Sequence, residues 1–317
     1  MTTALVLGIT GQDGSYLAEF LLKKGYDVYG LIRRTSYMHF GNLVHIIDDV
    51  HLDYGDLCDS SSLHTCIRTT KPDEVYNLAA MSFVGSSWIH PVSTMDINAC
   101  GVFRLLEAVK QNKPDVRVYQ ASSSEMFGNQ TGALNEYSPF HPRSPYGVSK
   151  VAAHHAIVNY RESYGMFCCN GICFNHESPR RGIEFVTRKI TDGVVRIRNG
   201  LLSKLKLGNI NARRDWEYAG DYIEAMWLML QSDEPEDYVI AAGETYSVWD
   251  FYERACHYAG ISPQNHLALD GKMIRPADIH SLCGDRSKIE RELGWFPKTG
   301  FDQLVGMMVD ADMERYK

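Results

Sequence analysis

The chain has 317 residues, 44% of them hydrophobic, enough for a sizeable core and for more than one lobe. Its net charge is −7 with Lys and Arg scattered rather than blocked, which excludes a nucleic-acid stripe or a basic membrane-surface patch. No apolar run approaches the roughly 20 residues that span a bilayer, and "MTTALVLGITG" enters a strand and a glycine turn where a signal peptide would need a charged and an apolar region.

A soluble, cytoplasmic protein with no nucleic-acid or membrane partner is therefore expected. In chain order, the apolar and β-branched runs predict strands over 4–7, 27–32, 51–53, 74–78, 117–121 and 167–174. Helical stretches are predicted between them, over 15–24, 61–70, 94–111 and 146–163. This alternation argues for a parallel sheet covered on both faces, a doubly wound α/β (Rossmann) domain. After Phe174 the pattern loosens: "NHESPRRGIEF" is polar and irregular, helices recur over 186–199 and 222–231, and a strand over 238–242 could rejoin the sheet. The expected division is 1–174 plus about 215–243 for the dinucleotide domain. A smaller α/β substrate lobe would take about 175–214 plus 244–317. A ligand should lie between them, at the carboxyl ends of the strands.

Eight cysteines include no C-x-x-C pair, and Cys168, Cys169 and Cys173 fall within the apolar run "MFCCNGICF". A metal site is conceivable there, but small buried thiols in a strand fit better. Twelve histidines show no H-E-x-x-H spacing, so no metal is predicted.

"GITGQDGSYLAEFLLKKG" follows the first strand and opens a helix. Gly8, Gly11 and Gly14 would allow a tight turn, close approach to a pyrophosphate and close helix–strand packing, with the helix N-terminus facing the phosphate. The spacing is G-x-x-G-x-x-G rather than G-x-G-x-x-G, so its setting carries the inference. Selectivity for NAD would place an acidic residue at the end of the second strand. The chain instead reads "LIRRTS", and Arg33 and Arg34 suit the 2′-phosphate of NADP. Asp56, in "YGDL", could hold the adenine edge or serve as a turn residue.

"SPYGVSK" puts Tyr146 and Lys150 four residues apart on one face of a helix. A free tyrosine titrates near 10. A neighbouring ammonium and a cationic nicotinamide would favour its phenolate, so Tyr146 reads as a base lowered by Lys150. The stretch "ASSSEMFG" ends an apolar strand with three hydroxyls and a carboxylate. It reads as the acid–base end of a catalytic strand and not as a cap. Ser123 would hydrogen-bond the substrate hydroxyl. Glu125 has no part in a simple alcohol oxidation. It makes sense if, after oxidation to a ketone, the adjacent acidic C–H must be deprotonated to expel a β-hydroxyl.

The motifs "GITGQDGSYLAEFLLKKGY", "YNLAAMSFVGSSW", "PRSPYGVSK", "NGICFNHESPRRGIEFVTRKIT" and "LGNINARRDWEYAGDYIEAMWLMLQ" together make the chain resemble the GDP-mannose 4,6-dehydratases. These belong to the extended short-chain dehydrogenase/reductase superfamily, and the likeness runs nearly end to end. The resemblance implies NADP as a retained cofactor, held by Gly8, Gly11, Gln12, Asp13, Gly14, Arg33, Asp56, Leu57, Leu78, Tyr146 and Lys150. It implies catalysis by Ser123, Glu125, Tyr146 and Lys150, with oxidation at C4, elimination across C5 and C6, and hydride return to C6. The GDP-sugar would be held by Ser82, Ser86, Ser124, Asn175, Val186, Lys189, Leu207, Asn209, Arg214, Arg275 and Asp278. Relatives also imply a homo-oligomer, dimer or tetramer.

The chain departs from the family pattern at several positions. Ser123 stands where threonine is usual, Met81 and Phe83 replace an amide and an imidazole, and Asp278 replaces a glutamate. The segment after Arg34 is shorter than the family's loop. Met81 and Phe83 make a GDP-manno-heptose a substrate alternative to GDP-mannose. A GDP-4-keto-6-deoxy-sugar reductase or epimerase is the rival enzyme, against which Glu125 beside Ser123 counts. A non-enzymatic dinucleotide sensor should have lost part of the Ser-Tyr-Lys set, and none is lost.

Overall fold

The computed structural model describes residues 1–37, 40–274 and 276–317. Seven parallel strands form the central sheet: β1 (Thr3–Leu7), β2 (Asp27–Ile32), β3 (His51–Tyr54), β4 (Glu74–Asn77), β5 (Arg117–Ala121), β6 (Cys168–Cys173) and β7 (Tyr238–Ile240). The helices that position the site are α1 (Gln12–Lys23), α2 (Ser60–Thr70), α3 (Gly101–Asn112), α4 (Pro145–Tyr164), α5 (Val186–Arg198), α6 (Ala219–Gln231), α7 (Val248–Tyr258) and α8 (Phe301–Arg315). The strand order is β7-β6-β5-β4-β1-β2-β3. The order reverses between β1 and β4, so the crevice at the switch point opens where the turns after Leu7 and Asn77 meet.

The inner strands β1, β4, β5 and β6 are largely buried because both faces of the sheet are covered there. Ala4 and Val6 of β1 face a core containing Leu17 and Leu21 of α1 and Met226 of α6, while Leu5 and Leu7 face Leu63 of α2, Leu105 of α3 and Ile157 of α4. Cys168, Cys169 and Cys173 are buried in β6, where burial pushes all three thiols up to about 12. Among the described residues no three His, Cys, Asp or Glu side chains gather to hold a metal ion, and no helix is long and apolar enough to cross a membrane.

A further core packs α5, α7 and α8 around Trp216, through Ile190, Val194, Phe251, Leu304 and Met308. Short strands tie it to the rest: Asn175–Glu177 runs parallel to Trp216–Tyr218, and Arg213–Arg214 pairs with both Tyr246–Ser247 and Ser281–Gly284. Helices α7 and α8 lie in stretches to which the sequence reading assigned no element.

One predicted element is built differently. The single helix expected over 94–111 is an α-helix over Pro91–Met95, a π-turn over Asp96–Cys100 and then α3. The widened turn carries Asn98 inward. Its amide accepts from the Met81 N–H at 2.8 Å and donates to the Met81 carbonyl and to Ser149 Oγ, both at 3.2 Å. Periodicity cannot register one extra residue in a turn.

Candidate active site

At the strand ends lies one cavity of about 770 Å³, lined by residues of the central sheet and of the α5–α7–α8 core, within the size range of small-molecule sites. The first turn is shaped by glycine. Gly8 sits at φ +81°, where a Cβ would come within 2.9 Å of the Ala79 nitrogen. At Gly14 a Cβ would fall 2.3 Å from the Gly8 carbonyl oxygen, so only glycine lets α1 pack this close to β1. Gly11 begins α1 with no side-chain cap. The N–H groups of the first helical turn are left for a ligand, the arrangement that receives a phosphate.

Gln12 and Asp13 bind this turn to the "NHES" strand. Gln12 donates to Asp13 (2.9 Å) and to the His176 carbonyl (3.1 Å) and accepts from Ser178 (2.8 Å). His176 Nε2 meets Asp13 Oδ2 at 2.8 Å, and its Nδ1 donates to the Phe174 carbonyl at 2.8 Å. Burial acts to raise the Asp13 carboxyl, but the imidazole, Gln12 and Arg181 outweigh it and hold it at about 2. Burial likewise opposes the imidazolium, yet Asp13 raises it above its usual value.

The serine–glutamate stretch answers to both of its readings. Ser123, extended two residues after the end of β5, accepts the Glu125 N–H at 3.2 Å and so caps the short helical turn Ser124–Met126. The expectation that the stretch is no cap is thus corrected. The same hydroxyl acts on the Tyr146 phenol, favouring its ionised form. Glu125 is buried, lines the cavity and is close enough to act on Tyr146 electrostatically. Helix α4 presents Tyr146 and Lys150 because Ser144 caps its start, accepting the Gly147 N–H at 3.0 Å, with Pro145 in its first turn. A Cβ on Gly147 would approach the Glu125 carbonyl to 2.8 Å. Glycine there seats the Ser–Glu turn directly on the helix.

The groups that act most strongly on the Tyr146 phenol do not include Lys150. Burial pushes the phenol well above its usual value. Ser123 and Arg181 pull it down, and Glu125 pushes it further up. Lys150 donates to the Ala121 carbonyl at 2.9 Å, its nitrogen 5.7 Å from the Tyr146 ring centre, and burial lowers its own value to about 8.

Of the remaining predicted residues, Arg33, Asp56, Leu57, Leu78, Ser82, Ser124, Asn175, Val186, Lys189, Leu207, Asn209, Arg214 and Asp278 line the cavity. Arg34 does not. Its guanidinium reaches the Thr35 carbonyl and lies over the Tyr54 ring. Asp56 also serves its turn, accepting the Cys58 N–H at 2.9 Å. Ser86 is not in the lining; its hydroxyl donates to the Phe83 carbonyl at 3.0 Å. Arg275 lies outside the described residues. At the far end Asp278 accepts from Asn209 at 2.8 Å and faces Arg214 at 3.9 Å, while Arg214 also donates to the Ile279 carbonyl at 2.9 Å. The Lys189 ammonium lies 3.3 Å from the Met273 sulfur, and burial lowers it.

Sequence reasoning passed over His176, Arg181, Phe185 and Trp216, all in the cavity wall. "NHESPRRG" was legible as a motif, but only Asn175 was drawn from it.

The strand order, glycine turn and Ser-Tyr-Lys set define a short-chain dehydrogenase/reductase of the extended type. Dehydratases and epimerases of nucleotide sugars share this architecture. The dTDP-glucose 4,6-dehydratase DesIV from Streptomyces venezuelae, with NAD and TYD bound, superposes with TM-score 0.88 at 25% identity, covering 99% of this chain and 97% of that one. The UDP-glucose 4-epimerase of Thermus thermophilus, in complex with NAD, gives 0.87 at 27%, covering 98% and 99%. The family model described as GDP-mannose 4,6 dehydratase matches residues 5–308. GDP-mannose 4,6 dehydratase 1 of Arabidopsis thaliana is 54% identical over 99% of this chain and 90% of its own length. The Homo sapiens GDP-mannose 4,6 dehydratase is 47% identical over 98% and 91%. The chain belongs to the GDP-mannose 4,6-dehydratase family, a family of hydro-lyases.

Proposed function

We propose that the protein converts GDP-mannose to its 4-keto-6-deoxy derivative with NADP as a retained cofactor. The observation that carries this reading is a buried carboxylate, Glu125, beside the Ser123–Tyr146 pair in a cavity that also takes in a helix N-terminus built for phosphate. The glycine cradle at Gly8 and Gly14 fits a dinucleotide, and Arg33 at the cavity edge suits a 2′-phosphate. When bound, the oxidised nicotinamide supplies a hydride acceptor and a positive charge near the phenol, and its reduced form returns the hydride.

The chain's own residues handle the protons. Ser123 orients the C4 hydroxyl, and Tyr146 takes its proton. Glu125 then removes the proton from C5, acidified by the C4 ketone, and assists departure of the C6 hydroxyl. Lys189 and Arg214 supply positive charge for the diphosphate, while Leu207, Asn209 and Asp278 receive the nucleoside. By this reading residues 1–174 with about 215–243 serve the cofactor, and about 175–214 with 244–317 serve the sugar nucleotide. Met81 and Phe83 leave an apolar wall against which a GDP-manno-heptose is the second substrate to assay. We place the enzyme in the cytoplasm. Exposed Val92 on the Pro91–Met95 helix, Phe103 on α3 and Val148 on α4 favour self-association, which sedimentation of wild type and Phe103→Asp would test.

GDP-mannose deuterated at C4, incubated without added reductant, should give a 4-keto-6-deoxy product with deuterium at C6. A reductase would need stoichiometric NADPH, and a sensor would yield nothing. Glu125→Gln should lower turnover roughly 10²–10⁴-fold while cofactor stays bound. Normal turnover by that variant removes Glu125 from the mechanism.

A further inference from the structure

Arg181 has no assigned task, yet its charge acts on Tyr146, Asp13 and His176, groups contributed by α4, α1 and the Asn175–Glu177 strand. Its side chain shares the cavity wall with all three. A flexible side chain needs holding to keep its charge in one place. Glu177, itself bound by Thr187 at 2.6 Å, lies 3.0 Å from Arg181 Nε. The other constraint is aromatic. The Phe185 ring lies under the guanidinium, 3.7 Å from ring centre to Arg181 Cζ. The edge contact from Phe83, 5.6 Å between centroids at 79°, fixes that ring in turn. Phe83 rests on Gly85, where a Cβ would come within 3.0 Å of its ring. The column Gly85–Phe83–Phe185–Arg181 thus runs from the turn after β4 to the segment before α5.

We propose that Phe185, wedged between Phe83 and Arg181, is a positioning residue that holds the guanidinium where its charge favours the Tyr146 phenolate. The proposal rests on Tyr146 being the base of the reaction. A guanidinium over an aromatic face is held by the ring quadrupole, and an aliphatic side chain of similar bulk lacks that face. The device matters here because burial opposes the phenolate, while Ser123 and Arg181 pull the other way.

The test is the pH dependence of kcat/KM for GDP-mannose, measured on NADP-loaded enzyme. Phe185→Leu should move the acid limb to higher pH by about half a unit, part of the shift an opposite charge at close range can give. Phe185→Trp, which restores a face for the cation, should return the limb to its wild-type position. If the leucine variant fails to fold, Phe83→Leu loosens the same column and should shift the limb in the same direction by less. A Phe185→Leu profile that overlays the wild type, or a tryptophan variant no better than leucine, overturns the proposal. Tyr146→Phe separates the two readings. An active phenylalanine variant with its acid limb intact sinks the base assignment itself, whereas an inactive one with an unmoved Phe185→Leu profile sinks only the column.

Discussion

The two ends of the cavity are built on different principles. At the reacting end the functional groups sit on regular elements that pack backbone against backbone. Ser123 follows the end of β5 by two residues, Tyr146 and Lys150 rise from a capped α4, and glycines at 14 and 147 bring helix against strand and turn. At the far end Lys189 begins a helix, but Asn209, Arg214 and Asp278 sit on short strands and connections and are held by one another's side chains. Chemistry that fails on an error of an ångström is placed on long regular elements, and recognition, which tolerates adjustment, on short strands and connections.

The contrast can be broken in order of expected effect. Gly147→Ala puts a methyl group against the Glu125 carbonyl and should displace the Ser–Glu turn. Turnover should fall on the order of 100-fold with the melting temperature little changed, as steady-state assays and calorimetry would show. Equal losses in both would mean that the close packing serves stability instead. Asp278→Ala releases Asn209 and Arg214 together. KM should rise about tenfold with kcat within about twofold, the pattern of uniform binding lost. A matching loss in kcat would erase the distinction between the ends.

The smallest effect concerns Glu217, buried beneath the junction on the Trp216–Tyr218 strand. Burial, with Asp221, Asp215 and Glu244 nearby, raises its carboxyl to about 8, against the one opposing bond from the Tyr218 N–H. The unfolded chain loses this proton near its ordinary value of about 4.3 and the folded chain only near 8. Native stability from this group is therefore full below about pH 4 and declines as pH rises through that window. Glu217→Gln, which cannot ionise, should match wild type at about pH 4 and melt a few degrees higher at about pH 8.5. Equal melting temperatures at both pH values would remove Glu217 from the balance.

Much of this was legible in advance, for local reasons. Apolar runs of strand length, a glycine turn opening a helix, and a Ser-Pro start placing Tyr146 and Lys150 on one face are all properties of short segments, and sheet and catalytic set follow from them. The π-turn that carries Asn98 inward leaves no mark on hydrophobic periodicity. Ser86 looked like its neighbour Ser82, yet one turn of helix directs its hydroxyl to the Phe83 carbonyl.

The sequence by itself determined the doubly wound sheet, the glycine turn that opens a helix and the candidate acid–base groups, because each depends on residues within a few positions of one another. Only the tertiary structure decided the electrostatics. It moved the Lys150 ammonium onto the Ala121 carbonyl, raised Tyr146 by burial and brought Arg181 near it from beyond the next strand. Dielectric and through-space charge depend on what the folded chain places alongside a group, and no local spacing encodes that.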